Sequence, residues 1–78
     1  DMSASNNKLK ARALRILRHA TGLEGEAAEE LLIQAGGSCK TAIVMALTGS
    51  GAQQAREALA QAGGWVREAV AQLEGVVP

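Results

Sequence analysis

Aromatic residues are almost missing from this chain of 78 residues: it has no Phe and no Tyr, and Trp65 stands alone. The apolar mass is Ala, Leu, Val and Ile, and because Ala contributes little area such a core needs helix backbones to approach closely. The β-branched residues never gather into an alternating run, while the Ala, Leu, Glu, Gln and Arg content favours helix, so the fold class reads as all-α. A single cysteine, Cys39, excludes an internal disulfide and suits a reducing cytosol. No apolar run approaches the ~18 residues of a membrane span, and no secretory signal is visible. The reading is a soluble, cytoplasmic chain with no membrane partner. At this length one domain is expected, near the size at which only about 60% of the unfolded surface is buried. Asp1 standing ahead of Met2 suggests a piece of a longer protein.

Net charge is also missing, but the zero hides an asymmetry. Residues 1–20 carry Lys8, Lys10, Arg12, Arg15 and Arg18 against Asp1, a net +4, whereas residues 21–78 carry a net −4. That balance argues against a general nucleic-acid binder and leaves the first helix as a local anion-binding face.

What the chain does have is an internal repeat. Residues 21–47 (TGLEGEAAEELLIQAGGSCKTAIVMAL) align without gaps on residues 48–74 (TGSGAQQAREALAQAGGWVREAVAQLE), with ten of 27 positions identical. The shared Gln-Ala-Gly-Gly, residues 34–37 and 61–64, is too specific to be a by-product of an Ala- and Gly-rich composition. Each unit reads as helix, Gly-Gly turn, helix. Gly36 and Gly63 are expected at positive φ just past a helix end, and Ser38 is placed to cap the helix that follows. In the second unit Trp65 replaces that serine, so the cap is lost and the indole is expected to cover the helix junction instead.

One more helix precedes the repeat, roughly 6–20, with 1–5 as an extended lead-in and 75–78 as a frayed tail. Its expected buried stripe is Leu9, Ala13, Ile16, Leu17 and Ala20; Lys8, Arg12, Arg15 and His19 form a second stripe on another face. The chain thus divides into a leading segment (1–20), repeat 1 (21–47) and repeat 2 (48–74), five short helices in one domain.

The best candidate site is the start of that first helix. Ser5 or Asn6 is a sensible N-cap, which places Lys8 and Lys10 near the first turn, where the helix dipole disfavours cations. Free N–H groups beside a lysine suit a phosphate; the plainer reading is that the lysines solvate an exposed helix. His19 lacks metal-ligand partners and fits a helix C-terminus. Cys39 lacks a nearby base and reads as a small core residue. Glu29 and Glu30 read as a solvated face rather than an acid–base pair. The Gly-Gly turns match neither a P-loop nor a dinucleotide fingerprint. No catalytic residue, metal site or cofactor site is expected.

The run Asp1-Met2-Ser3-Ala4-Ser5-Asn6-Asn7-Lys8-Leu9, then Arg12-Ala13-Leu14-Arg15-Ile16-Leu17 and Ala20-Thr21-Gly22, resembles the segment after the sugar isomerase (SIS) domain of N-acetylmuramic acid 6-phosphate etherases. Ala35-Gly36-Gly37, Lys40, residues 41–46 and Ala62-Gly63-Gly64 continue the resemblance over almost the whole chain. It implies a fold of the ubiquitin-associated (UBA) type. It implies a parent carbon–oxygen lyase that acts in cell-wall recycling, releasing D-lactate and N-acetylglucosamine 6-phosphate by elimination and water addition without a metal. The catalytic glutamates and phosphate-binding serines would belong to the SIS domain, which these residues lack, so the chain alone is not expected to be an enzyme. A similar Ser-Asn-Asn-Lys-Leu stretch in the related glucokinase regulatory protein contacts sugar phosphate through its lysine. That role carries over to Lys8, with Asn6 helping to orient the ligand. The implied partners are the SIS domain of the parent, a second subunit in a homodimer, and a sugar phosphate.

Two other functional classes fit the sequence less well. A UBA-like protein-interaction module lacks the usual hydrophobic-aromatic loop, since the turns read Gly36-Gly37-Ser38 and Gly63-Gly64-Trp65. DNA binding is disfavoured by the acidic second half and the absence of a basic Gly-rich hairpin.

Overall fold

The computed structural model of the chain describes residues 2–75, with the backbone alone described for residues 2–7. Helix follows helix across short turns: α1 (Met2–Thr21), α2 (Gly25–Gln34), α3 (Cys39–Thr48), α4 (Ala52–Gln61) and α5 (Val66–Leu73). Among the described residues there is no strand, and no single helix is long and apolar enough to cross a membrane. The most apolar helix, α3, lies at the centre and packs against each of the other four. Its Thr41, Ala42, Val44 and Met45 are buried.

Among the described residues six of the twelve buried apolar side chains are alanines, so the core holds little volume per residue and depends on the close helix contacts that the composition calls for. The identities of the repeat fall where this matters. Ala28 and Ala55, Leu32 and Leu59, and Ala42 and Ala69 are buried in both units. The turns match as well. Gly36 and Gly63 sit at φ +70° and +67°, and Gly37 and Gly64 at +87° and +89°. The N–H of Gly37 donates to the Leu32 carbonyl at 2.9 Å, and that of Gly64 to the Leu59 carbonyl at 2.7 Å. This pattern satisfies carbonyls that a helix end otherwise leaves open.

Three expectations are corrected here. First, α1 begins at Met2 rather than near Asn6, so the extended lead-in and the N-cap at Ser5 or Asn6 do not form. Residues 2–5 contain neither Gly nor Pro, and Met2 and Ala4 are good helix formers, so nothing in them halts the helix between Asn6 and Met2. Secondly, α1 buries Leu14 and Leu17 and half-buries Ala13, while Leu9 is 65% exposed, Ile16 46%, and Ala20 also faces outward. At 1.5 Å per residue α1 is about 30 Å long and its ten-residue neighbours about 15 Å, so they cover only part of it. Thirdly, Trp65 does not cover the helix junction, for the residue is 70% exposed.

Candidate functional site

The basic face of α1 follows from its spacing. Lys8, Arg12, Arg15 and His19 stand four, three and four residues apart, on neighbouring turns of one side, and all are exposed. The one ion pair among the described residues is elsewhere, between Lys10 and Glu29, 3.4 Å apart and half exposed. The stripe therefore has no carboxylate partner within ion-pair distance among those residues. Arg18 and His19 occupy the last turn of α1, where the helix dipole favours cations. Arg15, Arg18 and His19 border an open cleft with Gly22, Leu23 and Glu24.

Because the helix starts at Met2, Lys8 lies in its second turn. The free N–H groups of the first turn lie upstream, so backbone amides and the Lys8 amine do not form the joint anion site expected from the sequence. What remains at Lys8 is an exposed lysine on the N-terminal half of α1. The side chain of Asn6 lies outside the described residues.

The remaining candidates have structural surroundings. The Cys39 thiol is half-buried and donates weakly to the Ala13 carbonyl at 3.5 Å, tying the start of α3 to α1. Desolvation raises its pKa, which disfavours the thiolate a nucleophile needs. Glu29 is engaged by Lys10. Ser38 accepts from the Thr41 N–H at 3.2 Å and caps α3 as expected.

One grouping escaped the sequence reading. A cleft of about 640 Å³ is bordered by Lys40, Gly64, Trp65, Val66, Arg67 and Glu68. The Lys40 amine donates to the Gly64 carbonyl at 3.2 Å. The signal was present in the alignment of the repeats, where Lys40 matches Arg67 and Ser38 matches Trp65. Only the fold shows that the first repeat's cation reaches the second repeat's turn.

Among known proteins the chain is similar to N-acetylmuramic acid 6-phosphate etherases. It is 51% identical over 74 residues, 95% of its length, to that of Pseudoalteromonas atlantica. It is 51% identical over 70 residues (90%) to that of Geobacillus thermodenitrificans, and 50% identical over 52 residues (67%) to that of Deinococcus radiodurans. These matches span 24%, 24% and 17% of the relatives, so the chain covers no more than about a quarter of their length. No family model matches the chain, and no solved structure matches at a significant level.

Proposed function

Starting from a chain that matches a segment of N-acetylmuramic acid 6-phosphate etherases, we propose that it is the C-terminal lid and dimer-supporting domain of a cytoplasmic etherase. The parent would be a carbon–oxygen lyase that takes N-acetylmuramic acid 6-phosphate to N-acetylglucosamine 6-phosphate and D-lactate in cell-wall recycling. The observation that carries this reading is the match over 95% of the chain at 51% identity to an etherase about four times its length. The domain does no chemistry itself: it presents a cationic helix to a site built by the SIS domain, its own or that of a neighbouring subunit.

Lys8 is the residue assigned to the ligand. Lys8 is exposed, lies on the N-terminal half of α1, and has no carboxylate partner among the described residues. A lysine–phosphate bond is charge-assisted and worth roughly 1.5–3 kcal/mol when partly desolvated. Asn6 would orient the same ligand. In the full-length enzyme, Lys8→Ala is expected to lower kcat/KM by ~10- to 100-fold with the fold intact. Lys10→Ala is the control: it removes only an exposed pair with Glu29, of a kind worth about 0–1 kcal/mol. Equal and negligible effects at the two positions would return Lys8 to a solvated helix face and favour the interaction-module reading.

A further inference from the structure

Position 65 is where the two repeats part company. In the first, Ser38 at φ −85° and ψ 113° caps α3 through its hydroxyl. In the second, Trp65 holds nearly the same backbone, φ −83° and ψ 113°, but its indole accepts no hydrogen bond and α5 has no side-chain cap. Burial does not compensate, since the residue is 70% exposed. The fold gains little from this tryptophan, and a residue that breaks a local rule with little structural return points to function.

Two cations share the rim of the cleft with the indole. Lys40 and Arg67 hold equivalent positions in the two repeats, and both border the 640 Å³ cleft, a volume within the range of small-molecule sites. The Lys40 amine is steadied at the rim by its bond to the Gly64 carbonyl and keeps two further protons for a ligand. Neither cation is in an ion pair among the described residues, and Glu68 is the one carboxylate on the rim. A flat apolar side chain on one rim with two positive charges asks for a ligand that has an apolar face and a negative charge together. A neutral sugar would leave the cations without a partner, and a bare phosphate would leave the indole in water.

We propose that this cleft binds a phosphorylated sugar, with the ring lying on Trp65 and the phosphate held between Lys40 and Arg67. The choice of a sugar over other flat anions rests on the etherase reading; the net charge of −4 over residues 21–78 disfavours nucleic acid as the occupant. The site is separate from Lys8, because α1 contributes no residue to the rim.

With no other Trp and no Tyr or Phe in the chain, intrinsic fluorescence reports this cleft alone. The 78-residue chain is titrated with N-acetylglucosamine 6-phosphate, N-acetylglucosamine, inorganic phosphate and adenosine monophosphate. The sugar phosphate is expected to give a saturable blue shift or quench with a Kd on the order of millimolar, and the neutral sugar and inorganic phosphate to bind at least about tenfold more weakly. Arg67→Ala alone, and Lys40→Ala with Arg67→Ala, should each weaken binding by about tenfold or more, with helical content by circular dichroism unchanged. No saturable response to the sugar phosphate, a response unaltered in both variants, or equal binding of adenosine monophosphate overturns the proposal. Its failure leaves the etherase reading standing, since that is judged on the kinetics of Lys8→Ala; normal kinetics there beside an intact Trp65 titration sinks the Lys8 assignment alone.

Discussion

The Lys40 amine, from the first repeat, donates to the carbonyl of Gly64 in the second repeat's turn at 3.2 Å. On the other side, the Arg56 guanidinium of the second repeat lies over the first turn, with Nη1 3.8 Å from where a Cβ on Gly36 would stand. Each Gly-Gly turn is thus overlain by a cation from the opposite unit.

Replacing the first glycine of either turn tests the backbone. A Cβ would meet only Arg56 at 3.8 Å from Gly36 or Trp65 at 3.9 Å from Gly63, so space is not the obstacle. The positive φ is. Gly36→Val and Gly63→Val are each expected to cost roughly 1–2 kcal/mol or more, read as a fall of about 4–8 °C in Tm per kcal/mol. Melting curves that overlay wild type would remove the turn assignment.

The two capping positions should respond in opposite directions. Ser38→Ala removes the bond to the Thr41 N–H and is expected to destabilise by about 1 kcal/mol. Trp65→Ser restores a cap to α5 while giving up a side chain that is mostly in water, and should stabilise by a few tenths to ~1 kcal/mol. Urea denaturation of both variants measures the pair; a loss of stability in Trp65→Ser would mean that the indole packs where the structure shows it exposed.

These positions also show what was legible beforehand. The Gly-Gly turns, the Ser38 cap and the five helices follow from local chemistry, which a sequence states outright: a residue that tolerates positive φ, a hydroxyl at an N-cap, apolar spacing. The face of α1 did not follow. Leu9, Ala13, Ile16, Leu17 and Ala20 share helical spacing, yet which of them is covered depends on how far α2 and α3 reach, a tertiary fact. Nor did the start of α1 follow, because Ser5 and Asn6 are good caps and a good cap is not an obligatory one. The cleft at Trp65 was invisible for a third reason, since Lys40 reaches Gly64 from 24 residues away in the chain.

Cys39 gives a pH dependence. Burial raises its pKa in the folded chain, so the folded state holds the thiol proton more tightly than the unfolded state does. The associated stability is full below the unfolded thiol pKa of about 8.5 and is lost as pH rises through the folded value. Cys39→Ala should flatten that alkaline decline, and at pH 8 iodoacetamide should label Cys39 more slowly in the folded chain than in urea. Equal labelling rates would show an open, unperturbed thiol.

Leu9 and Ile33 border a groove between α1 and α2 with Ala13, Leu32 and Gly37, and they are 65% and 66% exposed. Exposed aliphatics gathered on one groove favour association. The chain is expected to self-associate at high concentration, and Leu9→Glu with Ile33→Glu should abolish this. Light scattering that reports a strict monomer for the unaltered chain at millimolar concentration contradicts it.

No nucleophile–base pair occurs among the described residues, and no group of three or more His, Cys, Asp or Glu there is placed to hold a metal ion. On the proposed reading the reacting groups belong to the SIS domain, and the 78-residue chain by itself is expected to release no lactate from N-acetylmuramic acid 6-phosphate. Turnover by the purified chain would require a site that its described residues do not form.

The central place of α3 has a consequence for how the chain comes apart. The helix is encoded in the first unit, yet α4 and α5 both lean on it, so the boundary between the duplicated sequences is not a boundary between independent folding units. A cut at Gly49 would leave one fragment with a greasy helix bare on two sides and the other with a hairpin of helices and no floor. Thermal melting should accordingly be a single transition, and neither half should be rescued by a linker in place of the other.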